Sequence, residues 1–552
     1  MRRPSLADAG RLPRILALAM VTGVLTGLVV AAFELVTTEI LLDVVLGLPT
    51  WKQAIAPGVG LVLTALILRY LAARASPATS DEFIRVFFDR RGRASLQPFV
   101  GRMLAGVATI GSGGALGLEG PAIYAGSTIG DNIQHRLSRW FSREDAKILL
   151  MAGAAAGVAA VFKTPATGVV FALEAPYRDD VAPRALLPAL VAAASSYLVF
   201  VFLTGTEPIF PGLGVRPKLE LSGLIGAVIV GTLAGLGGRA FSWFVHKAKE
   251  LTEKIRLRWR LSGAAVILAA LVLLTQTLYD EALTLGPGYD AVQWATDPER
   301  TLPLLALLFV LRMTASITTI AGGGVGGLFI PLTVQGILAG RFVGELLGQP
   351  DSSLYPTIGL AAFLGAGYRA PLAAVMFVAE STNGDFFVVP ALVAAAMSQL
   401  VAGKWSVSLY QRSVRRGHLE QRLELPLATG LTTDVLTVPP DATAAEFVWT
   451  HVLGNRTRVV PVVDGATYIG MCELKAVMEL DRSEWEATSV ADLITADMPA
   501  ARPGWTLGDA MAAMERADVE TLAVVDDGGT FIGTVDATEI LKLEEILDET
   551  GG

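Results

Sequence analysis

The sequence predicts an all-α polytopic membrane domain, internally duplicated, followed by a smaller soluble α/β tail. Three observations carry this. The 552 residues are 52% hydrophobic and only 17% charged, with a mean hydropathy of +0.53, too apolar for a soluble chain of this length. Two stretches repeat: Phe162-Lys163-Thr164-Pro165, Phe171 and Glu174 recur 206 residues later as Tyr368-Arg369-Ala370-Pro371, Phe377 and Glu380. Charge is partitioned as well. Residues 426–552 hold 23 Asp and Glu against 7 Lys and Arg, a net −16 that leaves +8 on the preceding part.

Uncharged runs such as Ile15–Phe33, Leu221–Gly238, Leu261–Tyr279 and Phe386–Gly403 approach the ~20 residues that cross a hydrocarbon core. Spans are expected at about 12–34, 52–74, 97–113, 119–136, 144–160, 165–175 and 183–204. The plan repeats at about 221–249, 262–279, 301–320, 329–346, 355–366, 370–381 and 386–403. Several are short or broken by Gly and Pro, which a bundle tolerates when neighbours shelter the break. Ile15–Phe33 reads as a retained first span rather than a signal peptide. Arg2, Arg3, Arg11 and Arg14 place its leading end in the cytoplasm. A short exit helix over about 406–417 is expected after the last span, with Arg412, Arg415 and Arg416 at the cytoplasmic face. The one cysteine, Cys472, excludes an intramolecular disulfide.

Each half carries a glycine-rich run ending in proline: Gly117-Leu118-Glu119-Gly120-Pro121 and, 210 residues on, Gly327-Leu328-Phe329-Ile330-Pro331. Glycine leaves the backbone open, and proline suits a first helical turn because its missing N–H is not needed there. The amides of Leu118, Glu119 and Gly120 therefore point out of a helix N-terminus, where the dipole is positive, and the second run offers the same geometry. Interrupted helices in a duplicated membrane fold meet at a mid-membrane binding site. Two such starts facing each other would hold an anion without a full positive charge, weakly enough for throughput. Glu119 is the one carboxylate there. It competes with the anion for the same amides and yields when protonated; a plain helix-start role for Glu119 does not explain the glycine runs.

With these motifs in order, the chain resembles the CLC family of chloride channels and Cl−/H+ antiporters, whose signatures are G-x-E-G-P and G-x-F-x-P. The resemblance implies an inverted-repeat CLC fold, a homodimer with one pore per subunit, and chloride as the transported ion in a lipid bilayer, with no catalytic or metal site and no enzymatic role. By position, Glu119 corresponds to the gating glutamate. The amides of Leu118, Glu119, Gly120, Phe329 and Ile330 correspond to the external anion site, and those of Leu328 and Phe329 to part of the central one. Tyr410, in Ser408-Leu409-Tyr410, is the expected match for the family's central-site tyrosine; the alternative for it is a plain interfacial tyrosine.

Departures from the family pattern matter too. The usual G-S-G-x-P motif is replaced by Ser76-Pro77-Ala78-Thr79-Ser80, so Thr79 or Ser80 is left as the candidate hydroxyl donor. Leu118 stands where several relatives have a basic residue. Family antiporters carry two adjacent acidic residues where this chain has Glu174-Ala175. Alanine cannot carry a proton, and Glu174, turned ~100° away on a helix, is not expected to substitute. The reading that follows is a voltage- or pH-gated chloride channel gated by Glu119. The alternatives are a Cl−/H+ antiporter or an exporter of another anion such as fluoride. Glu380, the copy of Glu174, has no matching family role and reads as structural.

The tail repeats as well. Val459-Val460-Pro461-Val462-Val463-Asp464 with Ile469-Gly470, and Leu522-Ala523-Val524-Val525-Asp526 with Ile532-Gly533, resemble a tandem CBS-domain pair. Boundaries are expected at 1–417 for the membrane domain, 418–433 for a linker, and 434–490 and 491–552 for the two CBS repeats, with the pair on the cytoplasmic side of the cell membrane. Adenine nucleotide is not favoured as a ligand. The usual hydroxyl–aspartate pair is missing, and only Glu539, following Asp536, offers a ribose acceptor. An acidic tail does not suit nucleic acid. The scattered histidines His135, His246, His418 and His451 contain no H-E-x-x-H pair, against a CBS-bearing metalloprotease. A Mg2+ transporter would need a pore lined with carboxylates.

Overall fold

Helix for helix, the two halves of the apolar region match. Arg11–Glu34, Thr50–Tyr70, Gln97–Gly111, Glu119–Arg136, Ile148–Phe162, Pro165–Glu174 and Leu186–Thr204 form the first set. Leu221–Lys254, Leu257–Tyr279, Leu302–Ala321, Phe329–Leu346, Leu354–Tyr368, Pro371–Ser381 and Val388–Ala402 form the second. This computed structural model describes residues 11–540 apart from 90–91, 139–140, 142–146, 179–180, 211–212, 214–220, 351, 383–384, 413–422, 456 and 496–497. The chain divides into two units, Met1–Ser413 and Val414–Gly552.

Among the described residues, six helical segments are long and apolar enough to cross a membrane, the first running without a break from Arg11 to Leu46. Its end winds as a π-helix over Leu35–Leu42, a form common near functional sites. The expected spans fall within a few residues of the observed helices. Two short helices had no counterpart in the sequence reading, Ser80–Phe88 and Tyr289–Ala295. The expected exit helix does not form over 406–412. There the backbone pairs with distant segments instead of with itself: Val407 N–H donates to the Gly367 carbonyl, Arg412 N–H to Pro176, and Arg178 N–H to the Arg412 carbonyl. Arg412 lays its guanidinium over the Phe88 ring at 4.6 Å. Residues 413–417 of that helix, with Arg415 and Arg416, lie outside the described residues, as do Arg2 and Arg3.

Matching glycines let helices touch backbone to backbone in each half. A Cβ on Gly126 would stand 1.9 Å from the Gly153 carbonyl oxygen, and one on Gly336 would stand 2.3 Å from that of Gly359. Small residues at such crossings are how helices associate where lipid removes the usual hydrophobic drive. The repeat extends to dihedral angles. Lys163 and Arg369, each ending a 15-residue helix ahead of a proline-started one, have φ of 54° and 53°.

In the second unit, β2 (Val459–Asp464) and β3 (Thr467–Glu473) form one antiparallel hairpin, and β5 (Thr521–Val525) and β6 (Phe531–Asp536) form the other. Each sheet is completed by a two-residue strand. β1 (Leu431–Thr432) joins β6 of the second repeat, and β4 (Ile494–Thr495) joins β3 of the first. The expected division at 434–490 and 491–552 thus cuts off Ile494, which packs with the first repeat's core, and Leu427 and Leu431, which pack with the second's. The helix Leu507–Ala517 opens with a capping box between Thr506 and Asp509, which satisfies two amide donors at the helix start.

Candidate functional site

The two glycine-rich runs meet. Gly117 N–H donates to the Gly327 carbonyl at 2.9 Å and Gly327 N–H to the Gly117 carbonyl at 2.7 Å. This antiparallel bridge sets the Glu119 and Phe329 helices, 18 residues each, starting from one point. Ahead of the runs, Gly113 and Gly323 adopt φ of 93° and 87°, a region that side chains avoid.

Glu119 lies at the junction with no exposure. Its Oε1 accepts the Phe329 N–H at 2.5 Å, and the amides of Glu119 itself and of Ile330 also act on the carboxylate. The acidic side chain of one repeat therefore rests on the helix start of the other. The glycines make room for it: a Cβ on Gly117 would fall 2.0 Å from Oε2, and one on Gly327 would fall 2.0 Å from Oε1.

Two cavities border the runs that meet at Glu119. One, of about 150 Å³, is bordered by Thr79, Ser80, Leu116, Gly326, Leu328 and Tyr368, and at its edge by Lys249, Val407 and Tyr410. Lys249 is tied to Asp81 at 2.5 Å and to the Val407 carbonyl at 3.0 Å, so its charge is matched there. The other cavity, of about 390 Å³, is reached past Leu118 and Lys163 and is rimmed by Glu34, Glu39, Asp43, Glu207 and Asp290. Arg312, 1% exposed, shapes that rim by donating to the carbonyls of Leu283, Leu285, Gly286 and Pro287.

The sequence-predicted residues are distributed as follows. Leu118, Glu119, Gly120, Leu328, Phe329 and Ile330 are all buried around the junction. Thr79 is buried beside Gly120, and its hydroxyl has no hydrogen-bond partner among the described residues. Tyr410 is 44% exposed at the cavity edge, whereas Tyr368 is 3% exposed. The Leu328 amide and the Ser80 hydroxyl act on the Tyr368 hydroxyl, and the Glu119 and Asp81 carboxylates act on it through their charge. The deep tyrosine is thus Tyr368, which arrives from the end of the Leu354 helix, while the extended path of 406–412 leaves Tyr410 at the rim. One signal in the sequence marked it, because the second copy of the repeated motif begins with Tyr368 where the first has Phe162.

Ala175 is buried, its carbonyl held by Gln411 Nε2 at 2.7 Å. Glu174 is 7% exposed and accepts the N–H groups of Leu372 and Ala373 at 3.3 and 2.9 Å. In the second unit Asp536 is occupied by the Thr521 hydroxyl at 2.7 Å and the Thr538 amide at 2.8 Å, close to Glu539.

A family model described as "Voltage gated chloride channel" matches residues 59–403, and one described as "CBS domain" matches residues 428–482 and 490–545. These helices and this junction define a membrane anion-transport protein: the chain belongs to the CLC family and carries a CBS pair. It is 26% identical over 427 residues to the voltage-gated ClC-type chloride channel ClcB of Salmonella typhimurium, covering 73% of this chain and 99% of that one. It is 27% identical over 444 residues to the H(+)/Cl(-) exchange transporter ClcA of Vibrio vulnificus, covering 75% and 92%. Among solved structures it resembles a slow cyanobacterial Cl−/H+ antiporter (TM-score 0.62, 22% identity, 71% of this chain and 94% of that one). It also resembles a CLC-type fluoride/proton antiporter (TM-score 0.61, 24% identity, 74% and 100%). Both likenesses concern the fold.

Proposed function

We propose that the protein exchanges Cl− for H+ across the membrane, with Glu119 as the group both ions must displace or load. The observation that carries this is the fully buried Glu119 carboxylate of one repeat seated on the Phe329 amide of the other. An anion needs the same donors, so it enters when the carboxylate leaves, and protonation lets it leave by removing its charge. Backbone amides of Leu118, Glu119, Gly120, Leu328, Phe329 and Ile330, with the hydroxyls of Tyr368 and of Thr79 or Ser80, hold the anion as dipoles rather than as full charges. Binding of that kind releases quickly.

Ala175 favoured a channel in the sequence reading. The relatives named as exchangers support exchange instead, and a proton route need not pass through position 175. The same reading makes the protein a homodimer with one pore per subunit. It lies in the cell membrane, with the basic leading end and the CBS pair in the cytoplasm. The CBS pair is regulatory and works without adenine nucleotide, since Asp536 is already engaged.

The test is purified protein in liposomes under an imposed Cl− gradient. Uphill H+ movement coupled to Cl− flux is expected, and Cl− flux with no H+ movement overturns the exchange reading. Running NO3− and F− beside Cl− ranks the anions.

A further inference from the structure

The cavity that Leu118 and Lys163 border is rimmed by five carboxylates, and one of them differs from the rest. Glu39, Asp43, Glu207 and Asp290 are exposed, whereas Glu34 is half-buried. The Glu34 Oε2 atom is shut off from solvent and has no hydrogen-bond partner among the described residues. A buried carboxylate oxygen without a donor is costly. The protein keeps it where the first helix loosens, because the π-helix Leu35–Leu42 begins at the next residue. Such wide turns gather at functional sites.

Glu34 and Glu119 are neighbours through the residues beside them. Phe33 and Pro121 pack over one glycine, since a Cβ on Gly106 would stand 3.1 Å from Pro121 and 3.3 Å from Phe33. The Tyr289 hydroxyl, on a residue that borders the same cavity, feels the charges of both Glu34 and Glu119. Leu118, the residue before Glu119, borders that cavity too. A Glu119 side chain that leaves the Phe329 amide past Leu118 enters the space that Glu34 borders.

The charged groups around Glu34 come from four places. Glu39 and Asp43 follow it on its own helical segment, Glu207 lies beyond the Leu186 helix, Asp290 is on the short Tyr289 helix, and Lys163 arrives from the turn ahead of Pro165. Lys163 is the one cation bordering the cavity among the described residues, and it acts on Glu34 through its charge, as does Glu39. The Asp290 charge acts on the buried Arg312 guanidinium.

Resting on the exchange reading, we propose that Glu34 is the outer proton acceptor for Glu119. Protonation frees Glu119 from the Phe329 amide, and its side chain swings past Leu118. The Glu119 O–H bond then breaks, the proton crosses on cavity water, and an O–H bond forms on Glu34. The Glu119 carboxylate returns to its amides. The Glu34 O–H bond breaks to water or buffer outside, with the Lys163 charge stabilising the carboxylate left behind. Ionised Glu34 offers an anion no donor, so it serves the proton alone.

The experiment reads H+ and Cl− movement together in liposomes under a Cl− gradient, at low and at high free histidine on both sides. Histidine is a zwitterionic imidazole buffer that does not cross the bilayer. Glu34→Gln is expected to slow coupled transport at least fivefold in low buffer, with the ratio of H+ to Cl− unchanged. High histidine, which takes the proton in place of Glu34, should bring that rate back to within twofold of wild type. Glu39 is exposed on the same helical segment, and Glu39→Gln should stay within twofold of wild type in both buffers. A wild-type rate for Glu34→Gln in low buffer overturns the role of Glu34 alone. A slow rate that histidine does not restore overturns it too, because a merely structural defect gives that result. If Glu34→Gln yields no folded protein, Glu34→Ala decides by the same two readings. Wild type that passes Cl− without H+ overturns the exchange reading and this role with it.

Discussion

Gly117 and Gly327, 210 positions apart, exchange both backbone hydrogen bonds and bracket the Glu119 carboxylate from either side. The three atoms nearest a methyl group on Gly117 all belong to that carboxylate, the closest oxygen at 2.0 Å, whereas one on Gly327 also meets the Gly120 amide nitrogen at 2.5 Å. Gly117→Ala is therefore expected to expel the Glu119 side chain from its amides. Wild-type Cl− flux should rise as the outer pH falls, because protonation empties the site. Gly117→Ala and Glu119→Gln should both give flux that no longer varies with pH, measured by Cl− efflux from liposomes between pH 4.5 and 7.5. A Gly117→Ala protein with wild-type pH dependence would show that the carboxylate does not need this space.

Tyr368 and Tyr410 border the same cavity at different depths. Loss of a hydrogen bond to a charged partner costs about 1.5–3 kcal/mol. Tyr368→Phe should thus weaken Cl− binding roughly tenfold or more, with Tyr410→Phe changing it less than about twofold. Calorimetric titration of detergent-solubilised protein with Cl− separates them, and a larger effect at Tyr410 would return the role to the rim tyrosine.

Glu380 satisfies three donors at the start of the Pro165 helix. Removing a helix cap that is also a charge-assisted acceptor costs about 2–3 kcal/mol. Glu380→Ala should lower the melting temperature in detergent, with Thr167→Val lowering it less. An Ala variant as stable as wild type would mean that water replaces the carboxylate at no cost.

Burial pushes the Cys472 thiol up to about 12, and the residue is fully buried in the first CBS core. A maleimide at neutral pH should leave it unmodified in the folded protein and label it once in denaturant, as read by mass spectrometry. Fast labelling without denaturant would show that this hairpin opens.

Much of this was legible in the sequence because local backbone demands leave marks. Glycine runs before Pro121 and Pro331, and prolines at 165 and 371, fix where helices start whatever surrounds them. Their recurrence at constant offsets marked both the duplication and the place of Glu119. Apolar length set the spans, and the acidic, strand-rich tail set itself apart as a second unit. What the sequence misplaced lay between segments far apart in the chain. Tyr368 rather than Tyr410 lies deep because Val407 and Arg412 pair with Gly367 and Pro176, which pulls 406–412 straight. Leu431 and Ile494 each complete the sheet of the other CBS repeat. Glu174 and Glu380 acquire different surroundings from one inherited position because the hydroxyl opposite one of them is absent opposite the other. Periodicity and spacing describe a residue's own turn of helix; which donor faces it from another helix is decided only when the two halves pack.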